Sequence, residues 1–190
     1  KIGPQVTSPY ERVEQLREFA QSGARLSEAE QQRLTNILLE DIQKESDPAM
    51  RVEILHTLTG LPNSTALAVL KAALKDPNPL VRIASLEGWR QRGGGEAVPV
   101  LINVMNADQD LDVRMAAARE LGKLRDPTAI QALGAWLDDK DPAVQYRAVQ
   151  SLREISGKDF GEDVTKWKLF VQGGEPEEVS IVSRLNPVKR

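Results

Sequence analysis

The stretch that decides the fold is Asp110–Asp138, with the sequence DLDVRMAAARELGKLRDPTAIQALGAWLD. On both sides of a short break at Arg125-Asp126-Pro127, apolar residues recur three and four positions apart. This spacing is typical of an α-helix that buries one face. Proline fits the first turn of a helix but disrupts its interior. The stretch therefore predicts a helix, a tight turn and a second helix.

The same layout recurs along the chain, which predicts a repeat protein. The short motif before each first helix starts at Asp47, Asn78, Asp110 and Asp141, so the interval between successive motifs is nearly constant. Equivalent positions of the first helices are apolar, and a small residue recurs near the start of the second helices. These columns are Met50, Val81, Val113 and Val144; Leu58, Trp89, Leu121 and Leu152; and Ala66, Ala97 and Ala129. A single helix pair cannot bury its apolar face alone, so neighbouring pairs must stack.

Capping signals predict where the helices begin and end. Asp or Asn followed by Pro supplies an oxygen that caps the first turn and a residue whose φ already suits a helix. This signal occurs at Asp47-Pro48, Asn78-Pro79, Asp126-Pro127 and Asp141-Pro142. Glycines follow three first helices, where a left-handed cap is favoured, at Gly60, Gly93 and Gly157.

The pattern predicts an all-α fold, a right-handed α-α superhelix (solenoid) of about five antiparallel helix pairs. We expect residues 9–172 to form the solenoid, with an atypical pair at each end. Residues 1–8 are predicted to be a flexible lead-in. Residues 173–190 are predicted to be a C-terminal tail that can form a short helix starting at Pro176.

Composition narrows the function classes. Of the 190 residues, 41% are hydrophobic, which is enough apolar material for a full core, and the net charge of −3 creates no basic field for nucleic acid or an anionic membrane. No apolar run is long enough to span a bilayer. The absence of cysteine excludes disulfides and thiolate metal sites. Because the chain begins at Lys1, we expect that an N-terminal segment has been removed, and both the bacterial cytoplasm and export remain open.

The short helix–turn–helix repeat, with Asp/Asn-Pro-x-x-Val-Arg before the first helix, resembles HEAT-like repeats, an armadillo-type fold. The short bacterial form named after phycobilin lyase subunits is the closer resemblance. In that family the Asp before the first helix and the Arg within it form a hydrogen-bonded ladder between repeats. The resemblance implies a structural ladder made of Asp47, Arg51, Arg82, Asp110, Arg114 and Asp141, with departures at Asn78 and Gln145.

Three local features could carry chemistry, and each has a simpler interpretation. His56 lies in a polar column that is expected to face solvent. Asp108–Asp112 has the alternating acids of a calcium loop but lacks its glycine and its bidentate glutamate, so helix capping is favoured. Gly93-Gly94-Gly95 precedes a helix and is interpreted as a turn rather than a phosphate site. Nothing resembles a nucleophile–base–acid set. We therefore predict no catalytic residues, no cofactor and no metal, and interpret Trp89, Trp136 and Trp167 as core residues.

The leading hypothesis is a non-catalytic scaffold or adaptor, a monomer, that binds a protein or peptide on the concave face formed by its second helices. Alternatives are an enzyme-associated HEAT-like protein, of the chromophore-lyase or DNA-glycosylase type, and a structural segment of a larger exported protein. The predicted partner-binding residues are Lys71, Lys75, Asn103, Asn106, Gln131 and Asp138. Two lysines at one end are too few for a nucleic-acid groove.

Overall fold

The computed structural model describes residues 8–178, and within that range it contains ten α-helices and no strand. The helices are α1 (Pro9–Ser22), α2 (Glu28–Lys44), α3 (Pro48–Thr59), α4 (Ser64–Ala73), α5 (Pro79–Arg92), α6 (Ala97–Ala107), α7 (Leu111–Leu124), α8 (Ile130–Ala135), α9 (Pro142–Ser156) and α10 (Val164–Val171). The all-α prediction is confirmed, with the ten helices that five pairs require. The predicted lead-in, apart from Ser8, and most of the predicted C-terminal helix lie outside the described residues.

Side-chain caps begin the helices where the sequence predicted. The Asp47 carboxylate accepts the backbone N–H of Ala49, and Asn78, Asp110 and Asp141 do the same for the residue two positions on. Such caps satisfy donors that have no partner inside the helix. Two further helices begin with a capping box, at Ser8 and Ser27.

The chain divides into two compact units, unit 1 (Lys1–Gly94) and unit 2 (Gly95–Arg190). In unit 1, α3 packs against both α1 and α5, and α2 packs against α3 and α4. The side chains between these helices are buried leucines, isoleucine and tryptophan: Leu34, Leu38, Ile54, Leu58, Leu70 and Trp89. The apolar columns of the sequence are therefore the core of this unit.

In unit 2, α7 packs against α6 and α9, and α10 packs against α8 and α9. Leu121 and Leu133 are fully buried, as their columns predicted. The last helix brings an aromatic cluster, in which the ring of Trp167 lies 4.8 Å from that of Phe160 and its Nε1 donates to the Gly161 carbonyl at 2.9 Å. Phe160 and Trp167 are both buried, so their rings extend the apolar core of unit 2 to α10.

Three details differ from the sequence prediction. The second helix after the Asp126-Pro127 turn is short, because α8 is flanked by 3₁₀ turns at Pro127–Ala129 and Trp136–Asp138. Trp136, which was predicted to be a core residue, is only half-buried. Gly60 ends α3 in the right-handed region, with φ −75°, so the predicted left-handed cap is wrong there. Arg125 instead takes the left-handed conformation, with φ 55°.

No helix between residues 8 and 178 combines the length and apolarity of a membrane crossing.

Candidate functional site

An open groove lies between α2 and α4 in unit 1. It has a volume of about 330 Å³. Helix α2 contributes long side chains, whereas α4 contributes short ones. The lining includes Leu39, Ile42, Gln43, Thr65, Ala68 and Ala72. The groove is therefore mainly apolar and lies on the second-helix face, where the sequence predicted partner binding.

The short side chains of α4 account for the groove. Ala68 and Ala72 are exposed and lie four residues apart, which places them one turn apart on the same side of the helix. Neither has atoms beyond Cβ that could fill the space next to α2. The opposite side of α4 anchors the helix through the fully buried side chains of Ala66 and Leu70.

Two predicted partner-binding residues lie beside this groove. Lys71 and Lys75 are both exposed. Lys71 follows the groove-lining Ala68 by three positions, so the two are neighbours on the surface of α4. Lys75 lies in the turn after α4, where its backbone N–H donates to the carbonyl of the groove-lining Ala72 at 3.0 Å. The groove thus has an apolar floor and, at the C-terminal end of α4, a cationic edge.

An ion pair closes one end of the groove. The Arg51 guanidinium binds the Asp76 carboxylate through two hydrogen bonds of 2.9 Å, and both side chains are 13% exposed. The remaining Nη1 of Arg51 donates to the carbonyls of Glu45 and Ser46, at 3.2 and 3.1 Å. A planar guanidinium suits this bidentate arrangement, and the pair is satisfied without a ligand.

These contacts correct the predicted ladder at Arg51. Asp47, Asp110 and Asp141 are helix caps. The acid that meets Arg51 is Asp76, from the turn that precedes α5. Asp76 also accepts the backbone N–H of the cap residue Asn78, at 2.8 Å. Asp76 therefore links the turn before α5 to the arginine of α3.

In unit 2 the predicted partner-binding residues have different surroundings. Asn103 and Asn106 are exposed on α6. Gln131 and Asp138 are also exposed, but both contact α10: Gln131 donates to the Val171 carbonyl at 2.9 Å, and Asp138 pairs with Lys168 at 2.6 Å. The last helix thus engages the positions that correspond to the open edge of unit 1.

The repeat length, the capped first helices and the arginine contacts point to one family. The HEAT repeats family matches residues 35–118 and 98–166, which together cover more than half of the chain. The chain is a HEAT-repeat protein. A search of curated proteins found no match. The match is to HEAT repeats in general, so the phycobilin-lyase type stays a prediction.

The HEAT repeats contain an acidic column that the sequence prediction missed. Its members lie two positions before each cap, and each accepts the N–H of that cap: Glu45, Asp76, Asp108 and Asp139. The sequence carries a signal for this column, since the four acids recur at the same intervals as the caps.

A second set of contacts explains the departure at Gln145. Arg51, Arg82 and Arg114 each donate from Nη1 to the backbone carbonyl of the acidic residue six positions earlier. Gln145 keeps this bond, because its Nε2 donates to the Asp139 carbonyl at 2.7 Å. The shared function of this position in the repeat is thus a side-chain bond to the preceding turn.

The first helix, α1, carries an arginine that the prediction also missed. Arg12 follows Ser8-Pro9 as Arg51 follows Asp47-Pro48. It pairs with Glu45 at 3.1 Å and with Asp41 at 3.2 Å. The Pro-x-x-Arg spacing could have identified it.

The features considered for chemistry have structural partners. His56 Nε2 lies 3.7 Å from Glu87 Oε2 on the first-helix face of unit 1, and this contact raises the pKa of the imidazole above its usual value. Asp108 and Asp110 accept backbone N–H groups, which agrees with capping. Gly93 and Gly94 have positive φ in the turn after α5. No group of three or more potential metal ligands occurs between residues 8 and 178.

Proposed function

We propose that this HEAT-repeat protein is a non-catalytic scaffold that binds a segment of a partner protein in the α2–α4 groove. The groove itself carries the proposal: an open apolar channel of about 330 Å³ beside two exposed alanines. Removing apolar surface from water lowers the free energy, so such a channel favours apolar side chains from a partner. A helix laid into a groove is a recurring way of achieving this.

The charged groups at the groove support binding rather than catalysis. Arg51 and Asp76 are bound to each other, and the arginine also holds two backbone carbonyls. General acid–base work needs a group whose proton can move to or from a substrate. A bidentate pair that is engaged in this way is a structural element, which favours a scaffold over an enzyme.

The proposal is tested by photo-crosslinking in the cells that make the protein. A photoreactive amino acid replaces Ala72 in the groove or, as a control, the exposed Gln91 on α5. We expect a discrete crosslinked protein from position 72 and none from position 91. A second variant adds Ala68→Arg, which fills the groove and should abolish the product.

Equal crosslinking from positions 72 and 91, or a product that persists when Ala68→Arg fills the groove, would contradict the proposal. Asn103 and Asn106 stay predicted contacts, and the same crosslinker placed at Asn106 tests whether unit 2 takes part.

A further inference from the structure

The cationic edge of the groove carries positive charge from two lysine side chains. Lys71 lies in the last turn of α4, Lys75 lies in the turn that follows the helix, and both side chains are exposed. Within the described part of unit 1, no ion pair involves either lysine. The edge therefore offers two cations to whatever lies in the groove.

The nearby acids are bound elsewhere. Asp76 pairs with Arg51, and Asp41 and Glu45 pair with Arg12. On α2, Glu40 faces Lys44 at 3.7 Å. The groove-lining residue of α2 that approaches solvent, Gln43, is uncharged. The field along the groove is consequently positive on the α4 side, although the whole chain has a net charge of −3.

We propose that the partner segment is acidic and amphipathic, with apolar side chains in the groove and carboxylates opposite Lys71 and Lys75. This inference rests on the proposed function of the groove. Two exposed lysines at the same end of α4 favour a segment that presents at least two carboxylates. Complementary charge of this kind sets partner choice and orientation more than raw affinity.

A displayed library of random dodecapeptides tests both claims at once. Peptides are selected on the wild-type protein after depletion on Ala68→Arg/Ala72→Arg, whose groove is filled. We expect the peptides that remain to combine large apolar residues at helical spacing with Asp or Glu. Peptides that depend on the groove but lack acids, or carry Lys and Arg, overturn the inference and leave the proposed function standing. No groove-dependent peptide at all overturns both.

The strongest peptide is then titrated by fluorescence anisotropy. We expect Lys71→Glu/Lys75→Glu to weaken binding at least about fivefold, because each rim charge contributes modestly and is reversed rather than removed. The same peptide with Lys in place of its acids should recover affinity for that variant. Arg25→Glu/Lys140→Glu, an equal charge change at two exposed sites, is the control. Equal weakening in both variants contradicts the inference.

Nucleic acid is the other polyanion that two lysines could attract. An oligonucleotide titration, duplex and single-stranded, distinguishes it. Binding at about micromolar concentration in physiological salt, lost in Lys71→Glu/Lys75→Glu, would overturn the acidic-peptide inference, because phosphate contacts give that salt-dependent behaviour.

Discussion

The same repeat position has opposite surroundings in the two units. Lys71 on α4 and Gly134 on α8 occupy one column of the repeat. Lys71 is exposed beside an open groove, whereas Gly134 is buried under α10. A Cβ atom on Gly134 would lie 2.5 Å from Cγ1 of Val171, closer than atoms tolerate.

A repeat column therefore predicts burial on the core side more reliably than exposure on the other side. The core side is enclosed by the helix pair and its neighbours in every repeat. The other side depends on whether a later helix packs there, and in unit 2 the last helix does. Substitutions at matched positions of the two units test this contrast, and the largest effect is expected in the core.

The core sides of the two units should respond alike. Leu70 and Leu133 share a column, and both are fully buried. Leu70→Ala and Leu133→Ala should each lower the free energy of unfolding by about 2–5 kcal/mol, the usual cost of a buried leucine and its cavity. Urea denaturation measures both. A loss below about 1 kcal/mol at one site only would show that the column does not define an equivalent core.

The ion pair at the end of the groove should be the next most sensitive feature. Arg51→Met leaves the mostly buried Asp76 carboxylate without its partner, and we expect a loss of about 2–3 kcal/mol, below the range for a wholly buried pair. Lys44→Met is the control, since Lys44 is 77% exposed in its pair with Glu40 and should change stability by less than about 0.5 kcal/mol. Similar losses for the two variants would mean that the Arg51 pair is no stronger than a surface contact.

The covered and open positions should differ when the same side chain is introduced. Gly134→Leu forces α10 away from α8 and should cost about 1–3 kcal/mol, as overpacking does. Lys71→Leu points into solvent and should stay within about 0.5 kcal/mol of wild type. Chemical denaturation measures the loss, and near-ultraviolet circular dichroism, to which Trp167 on α10 contributes, reports the change in packing. If leucine at residue 134 leaves stability unchanged, α10 can shift away from α8 at little cost in free energy.

The smallest effect concerns His56 on the first-helix face. Its pKa is raised chiefly by the contact with Glu87, although burial opposes the shift. A raised folded pKa stabilises the fold fully below the unfolded pKa of about 6.5, and this contribution is lost as pH rises through the folded pKa. The side chain is 42% exposed, so screening limits the effect to about 0.5 kcal/mol or less.

The pH dependence of His56 has a direct measurement. It is the only histidine, so one set of imidazole resonances titrates in the NMR spectrum. We expect a midpoint above about 6.5 in the wild type and a lower one in Glu87→Gln. An unchanged midpoint in Glu87→Gln would exclude that contact as the cause.

Much of the fold was predictable because its signals are local. Helix periodicity and Asp-Pro caps are contained within a single repeat, and the structure confirms the helices and their caps. The candidate site was predictable in part. Lys71 and Lys75 were singled out, but the groove beside them depends on how far α4 lies from α2, which no single helix encodes.

The sequence by itself determined the repeat, the starts of the capped first helices and the core columns, because each follows from the conformation and polarity of neighbouring residues. Only the tertiary structure decided which acid meets Arg51 and which second helices are covered. Those outcomes depend on hydrogen bonds between residues that are far apart in the sequence. Arg51 and Asp76 are 25 positions apart, and Gln131 and Val171 are 40 apart. Such pairings depend on the distances between packed helices, and side-chain volumes across the whole interface set those distances.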